Sequence, residues 1–522
     1  MIGALGETML PVHLQPESHV PLYIQLRDQL RALVHAGDLR PGDRIPASRE
    51  LAAVLGVHRT TVANAYAELE SEGLIQGHVG RGTFIQGNGN GLKLTPPPPP
   101  PLTNGNGLRW ELLFADERGD EILSRLTASA PEDALSFVMA RPAVDYFPVE
   151  ELQICVNAVL RREATDVLNL GSSDGYAPLK EALLELLSQD GIAAKDENLL
   201  VTDGCQQALD LISKAFVRPG DCVVLENPTY PGAGAIFNGA RARCLGVPVN
   251  THAEPGKPLG IDLEALEATL AANRVKLIVL TPDFQNPTGT SMPLVSRRKL
   301  LELASRHQVP VVEDHIYARL HSRDERLPSL KHMDRSNLVI HIDSFSKVAF
   351  PGLRVGWIVA PAAAIERLRL VKQTTDLHTD QLAQASLAEF LRRGYFSKHL
   401  AKMRKLYATR LSVLDEALHK YMPEDTRWTR PEGGMCLWLE LPPGFDASEL
   451  LIHAKERGLL FAPGRYFYVQ SHLPNTLRLG FANLNEKELV RGAATLADLL
   501  RIEMRKRQRG VRRAERSRVA LV

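Results

Sequence analysis

No single hydrophobic core can be threaded through "QGNGNGLKLTPPPPPPLTNGNG", Gln86 to Gly107, where six consecutive prolines stand between Gly/Asn repeats. Proline removes backbone donors and the flanking residues add little apolar surface, so the stretch reads as a partly stiff linker. The chain must therefore fold in separate parts. The sequence predicts a domain at residues 14–86, a linker at 87–130, a second domain at 131–500 and a basic tail at 501–522.

Bulk properties narrow the setting. Hydrophobic content of 44% with 24% charge is that of an ordinary soluble chain, with no apolar run long enough to span a bilayer. The first residues also lack the basic start and apolar stretch of a secretion signal, so the expectation is a cytoplasmic protein without membrane partners. Five scattered cysteines form no C-x-x-C pair, which argues against a disulfide framework or a metal site.

The part before the linker carries three helical patterns. Tyr23, Leu26, Leu30, Leu33 and Val34 recur at helical spacing up to Gly37. "ASRELAAVLGV" follows with Ser48 as N-cap and Leu51, Val54 and Leu55 on one face, broken by Gly56. "HRTTVANAYAELESEG" places Val62, Tyr66 and Leu69 inward, and "LIQGHVGRGTFI" reads as a hairpin turning at Gly80 and Gly82. Two helices joined through a glycine turn and followed by a β-wing make a winged helix-turn-helix, an α+β unit.

This segment resembles the GntR-type DNA-binding domain in "PLYIQL", "IPASRELA", "LGVHRTTV" and "GRGTFI". The resemblance implies that Arg49, His58, Arg59, Thr60 and Thr61 meet bases or phosphates of an operator duplex, with Gly80 of the wing close to it. Arginine bonds guanine at two points, which favours Arg49 and Arg59 for base readout. His58 stands where relatives carry Ser or Thr as a helix cap.

After the linker, helical patterns such as "YAPLKEALLELLSQDG" alternate with short β-branched runs: "NLLVTDG", "DCVVLENP", "KLIVLTP", "VPVVED" and "LVIHIDS". That alternation implies an α/β domain with a mostly parallel sheet, and ligands of such sheets bind past the carboxyl ends of the strands. There stand Gly204, Cys205 and Gln206 opening a helix, the aromatic Tyr230, Asn286 in a turn, Asp314 and Tyr317, and "DSFSKVAFPGLR" with Ser344, Ser346, Lys347 and Arg354. An acid for a ring nitrogen, a lysine for an aldehyde, an aromatic over the ring, and hydroxyls, helix amides and an arginine for a phosphate converge on pyridoxal 5′-phosphate.

The region from Ala134 to Leu500 resembles a fold-type I aminotransferase close to the α-aminoadipate or kynurenine type, with a smaller C-terminal α+β subdomain. The resemblance implies that Lys347 binds the cofactor covalently and Asp314 pairs with its ring nitrogen. It puts Asn286 and Tyr317 at the ring hydroxyl, Tyr230 in a stack, and Ser344, Ser346 and Arg354 at the phosphate with the Gly204–Gln206 turn. Arg478 in "NTLRLGFA" then clamps a substrate carboxylate with two parallel hydrogen bonds. Leu170 stands where relatives carry a phosphate-binding tyrosine, Ala140 where they carry a glycine, and Cys205 where serine is common.

Both halves together resemble the MocR-type regulators of the GntR family, which are head-to-tail dimers. The leading expectation is a regulator that senses an amino compound or pyridoxal phosphate itself. The alternative is a working aminotransferase transferring an amino group to a 2-oxo acid, with the winged helix as an accessory.

Overall fold

The computed structural model describes residues 11–15, 18, 20–78, 82–86, 134–322, 326–470 and 472–519. They divide into two units, one on each side of residue 117. The linker expected at 87–130 and Gly80 lie outside the described residues.

In the smaller unit, α1 (Leu22–Ala36), α2 (Ser48–Leu55) and α3 (Arg59–Ser71) pack around Leu26, Leu30, Leu51, Val62, Ala65, Tyr66 and Leu69. α1 ends where Gly37 turns left-handed at φ 81°, and Gly56 does the same for α2 at φ 63°. Two details differ from the sequence reading. α2 is capped by Ala47, whose amide donates to Glu50 Oε2 at 3.1 Å, so Ser48 is the first helical residue. Val54 is 72% exposed, and Ala52 takes the inward place beside Leu51. The wing pairs β2 (Ile75–His78) with β3 (Gly82–Ile85), and β1 (Arg44–Ile45) adds a third strand that a two-residue run could not announce. Glu70 of α3 accepts from the Gly77 amide at 3.0 Å and ties the wing to that helix.

The larger unit begins with β4 (Leu135–Ser136). Its central sheet comprises β5 (Leu199–Thr202), β6 (Cys222–Asn227), β7 (Arg243–Asn250), β8 (Gly260–Ile261), β9 (Val275–Leu280), β10 (Val311–Asp314), β11 (Val339–Ser344) and β12 (Gly356–Val359). Their order is β5-β12-β11-β10-β9-β6-β7-β8. β6, β7, β9, β10 and β11 run parallel, while β12 is antiparallel to β11 and β5 on either side. β5, β10, β11 and β12 are buried at every residue, as expected of strands covered on both faces.

The C-terminal part carries β13 (Arg427–Trp428), β14 (Cys436–Glu440), β15 (Leu459–Leu460), β16 (Ala462–Pro463) and β17 (Thr476–Gly480). β13, β14, β17 and β16 form an antiparallel sheet, and β15 pairs with β4, so the start of this unit is stitched into its end. The last helix runs unbroken from Glu486 to Val519, so the boundary drawn after residue 500 falls inside it. Among the described residues no helix is long and apolar enough to cross a membrane.

Candidate cofactor and DNA-binding sites

Because β12 runs opposite to its neighbours, its first residue lies at the same sheet edge as the last residues of β5 and β11. Gly356 and Gly204 touch there: a Cβ on Gly356 would sit 2.7 Å from the Gly204 Cα. Gly204 has φ 84° and ψ 176°, a region open essentially to glycine alone, and it opens the helix Cys205–Phe216. The turn thus aims the unpaired amides of a helix N-terminus at the same point that Arg354 reaches. Arg354 Nη2 donates to the Asp203 carbonyl at 2.8 Å, and a Cβ on Gly204 would lie 3.0 Å from that nitrogen.

Lys347 follows β11 by three residues. Ser344 Oγ bonds Ser346 Oγ at 2.8 Å and accepts from the Ser346 amide at 3.0 Å, which tightens the turn. Lys347 Nζ donates to the Ala140 carbonyl at 2.8 Å and lies 5.8 Å from the Tyr317 ring centroid. Burial, and after it the charge of Arg478, lowers its pKa to about 8. A neutral amine is accordingly within reach at ordinary pH, as a Schiff-base nucleophile requires.

Asp314 ends β10, buried, with its Oδ1 accepting from the Ile316 amide at 3.3 Å. Burial pushes its pKa up to about 6. Among the described residues no cation lies within ion-pair distance of this carboxylate. Tyr317 is buried nearby, and Tyr230, beyond the end of β6, donates its hydroxyl to Gln206 Oε1 at 3.0 Å. Asn286 accepts from Arg478 Nη1 at 2.7 Å. The Arg478 guanidinium also bonds the Val138 carbonyl and lies 4.8 Å above the Phe467 ring, while its buried Nε has no partner among the described residues.

The expected residues Gly204, Cys205, Gln206, Tyr230, Asn286, Asp314, Tyr317, Ser344, Ser346, Lys347 and Arg354 therefore gather along one edge of the sheet, with Arg478 of β17 beside Asn286. Cys205 is buried at a helix N-terminus, and burial raises its thiol pKa, so only its backbone is offered to a ligand. Ala140 takes part through its carbonyl, and Leu170 is 77% exposed.

Behind Asp314 lies a buried network that the sequence reading missed. Glu313 accepts from His341 Nδ1 at 2.9 Å and from the amides of Leu330 and Lys331. Burial, the largest single influence, would raise its pKa, but the His341 bond, the charges of His341 and His315 and the Leu330 amide together outweigh it and bring the value to about 2. His315 lies against His341 with centroids 4.7 Å apart and the rings tilted by 48°, and Asp343 lies 3.4 Å from Arg319 Nε and 3.7 Å from His315 Nδ1. Their only signal was the presence of His and Asp inside runs that otherwise read as buried strand.

In the smaller unit Arg49 lies in the first turn of α2, and Arg59, Thr60 and Thr61 in the first turn of α3. Arg49, His58, Arg59 and Thr60 are exposed and Thr61 is half-buried, since Val62 and Tyr66 turn the opposite side of α3 inward. His58 is itself the N-cap: its Nδ1 accepts from the Thr60 amide at 3.4 Å and lies 2.8 Å from Thr60 Oγ1. The side of α3 that starts with these residues is thus left clear of the core, as a groove-reading helix requires.

The two units have recognised counterparts. Residues 22–85 match the family of bacterial regulatory proteins, gntR family, and residues 147–496 match aminotransferase class I and II. The HTH-type transcriptional regulator TauR of Rhodobacter capsulatus is 30% identical, over 94% of this chain and 98% of its own. MocR of Rhizobium meliloti is 29% identical over 92% and 94%. Among solved structures, the α-aminoadipate aminotransferase LysN of Thermus thermophilus, complexed with N-(5′-phosphopyridoxyl)-L-leucine, superposes with a TM-score of 0.68. That match has 37% identity and covers 76% of this chain and 98% of LysN. The chain belongs to the class I and II aminotransferase family and carries a GntR-type reader in front of it. Within that class it is a MocR-type member of the GntR family.

Pyridoxal 5′-phosphate is the cofactor of this fold family. The residues present fit it on their own terms: a buried acid with no cation beside it among the described residues, a lysine with a lowered pKa, and a glycine cradle that a single Cβ would fill against Arg354.

Proposed function

We propose that the chain is a pyridoxal phosphate-dependent transcriptional regulator whose aminotransferase-like unit senses an amino compound or the cofactor itself. One observation carries this reading. A helix-turn-helix with a wing, whose exposed helix starts bear Arg49, Arg59 and Thr60, shares a chain with the Lys347 and Asp314 cofactor constellation, and transamination has no use for the former.

In this reading Lys347 is the amine that holds the cofactor, Asp314 faces its ring nitrogen as a carboxylate, and Asn286 and Tyr317 meet its ring hydroxyl. Tyr230 covers the ring. Ser344, Ser346, Arg354 and the Gly204–Gln206 turn hold its phosphate. When bound, pyridoxal phosphate supplies an electron sink for bonds at the amino-bearing carbon. Arg478 accepts a carboxylate of the sensed compound, exchanging the Asn286 and Val138 contacts for two parallel bonds. A ligand alters DNA binding only by favouring one arrangement of the protein over another. The unit of action is a head-to-tail homodimer in the cytoplasm, binding its operator through Arg49, His58, Arg59, Thr60, Thr61 and Gly80.

A second reading, a working aminotransferase, is supported by Arg478, since recognition of a substrate carboxylate is what a transaminase needs. A DNA-shift titration against the protein's own upstream region, with and without pyridoxal phosphate and a panel of amino acids, separates the two. The regulator gives a sequence-specific shift that responds to ligand. No specific shift, together with steady turnover of an amino acid with 2-oxoglutarate, establishes the enzyme instead.

A further inference from the structure

The network behind Asp314 occupies one face of the central sheet. Side chains alternate along a strand, so Glu313 and His315 share a face, and so do His341 and Asp343. The register brings the two pairs together: Glu313 of β10 stands opposite His341 of β11, and the His315 amide continues the ladder to the Ile342 carbonyl at 2.9 Å. Asp314, between Glu313 and His315, is turned to the other face. Strands covered on both sides normally carry apolar side chains. Here all four are ionisable, and each is at most 1% exposed.

Hydrogen bonds account for only part of this group. Both Glu313 oxygens accept backbone amides, from Leu330 and Lys331, so Glu313 is an acceptor and the hydrogen it shares with His341 belongs to Nδ1. That leaves Nε2 as the free position of the His341 ring. It is buried without a partner among the described residues, and so are both ring nitrogens of His315. Asp343 Oδ2, 3.7 Å from His315 Nδ1, is too far for a hydrogen bond. Buried nitrogens left in this way are costly unless a water or an ion answers them.

The arrangement favours an ion. One ligand atom from each of His315, His341 and Asp343 lies within 4.8 Å of the other two. Two imidazoles and a carboxylate suit zinc and its neighbours in the first transition row, whereas magnesium and calcium take oxygen ligands. Ligand atoms around zinc stand roughly 3.3 Å apart, so the set has to draw in by at most about 1.5 Å. His315 loses no hydrogen bond among the described residues by turning. The groups behind the three are those that usually orient metal ligands: Glu313 holds His341, while Asp343 is held by the Ser344 amide at 2.7 Å and by Arg319 Nε at 3.4 Å. No cysteine takes part, so the scatter of the thiols does not bear on this site.

We propose that His315, His341 and Asp343 form a buried binding site for one divalent transition-metal ion, zinc by its ligand chemistry, with the fourth position left to a water. The ion joins the residue that follows β10 to two residues of β11, and so fastens the strand that presents Asp314 on its opposite face. The inference does not depend on whether the chain is a regulator or a transaminase, since neither DNA binding nor turnover enters it.

The test uses the full-length protein with bound cofactor, purified without a histidine tag and dialysed. Elemental analysis gives its zinc content, before and after incubation with zinc chloride, and X-ray absorption at the zinc edge gives the neighbours of the metal. The expected result is about one zinc per chain with nitrogen and oxygen neighbours at about 2.0 to 2.1 Å, imidazole among them. His315→Gln removes a ligand but no side-chain hydrogen bond among the described residues, so the variant should keep its fold by circular dichroism. In competition with a zinc-binding dye it should lose more affinity than Glu313→Gln, for which a loss of about 10- to 100-fold is expected. The absorption spectrum of the wild-type protein decides the matter by itself should a variant fail to fold. Zinc absent from the purified protein and not taken up on incubation overturns the proposal, and leaves a buried water as the partner of those nitrogens. So does zinc that a folded His315→Gln retains at wild-type affinity, or zinc with sulfur neighbours, because the metal would then sit on other histidines or on cysteines.

Discussion

Lys347 and Asp314 are displaced in opposite senses by one cause. Burial disfavours charge, so the amine falls to about 8 and the acid climbs to about 6. Lys347 is a nucleophile only when neutral, so the apo-protein should take up pyridoxal phosphate faster as pH rises through about 8, then level off. Stopped-flow absorbance across pH 6 to about 10 checks this; a rate still climbing at the upper end would mean an unshifted lysine. Asp314 costs the apo-protein stability at neutral pH, because a raised folded-state pKa means stability declines as pH rises from the unfolded value through about 6. Asp314→Asn should therefore leave the apo-protein at least as stable at pH 7. It should weaken pyridoxal phosphate binding by about 10- to 100-fold, the worth of one charge-assisted hydrogen bond, measured by equilibrium dialysis. Loss of folding without loss of affinity would remove Asp314 from the site.

Elements decide where such residues meet, and β12 is the decisive one. By running against its neighbours it brings Arg354 back to the edge where Gly204 opens its helix. Gly204→Ala asks a side chain to adopt φ 84° and to fit 3.0 Å from Arg354. Urea unfolding should register a loss of about 1 to 3 kcal/mol, with weaker cofactor binding beside it; wild-type values for both would mean that the turn relaxes freely. The parallel strands were legible because β-branched runs between helical patterns have one plain reading. β1 was not, since two residues carry no period. Val54 misled because an apolar residue on a short helix signals a core whichever way it faces. The Glu313–His341–His315–Asp343 network was hidden for a different reason: polar residues in a strand normally mean an exposed face, and here they face one another inside.

At the scale of the molecule, the two units have separate cores, one built on Leu26, Leu30 and Val62 and the others spanning the larger sheet. A fragment of residues 134–522 should accordingly fold and bind pyridoxal phosphate with wild-type affinity while giving no operator-specific DNA shift. Absorbance titration and a shift assay on the same preparation check both halves of that statement. A colourless fragment would show that the larger unit depends on the smaller. The division itself was plain in the sequence, because the six prolines leave no other place for a break. The length of the last helix was not plain, because a charged run outside a core looks alike whether coiled or helical.

The pairing of β12 with β5 joins residues more than 150 positions apart, and Arg478 arrives later still. Among the described residues, the contacts that build the core of the DNA-reading unit are made by residue 86. During synthesis at about 5 to 20 residues per second, the reading head is complete roughly 20 to 80 seconds before the last residue of the sensing site leaves the ribosome. Each new molecule thus passes through an age at which it has a hand for DNA and no sense of its ligand, and the binding of cofactor marks its coming under control.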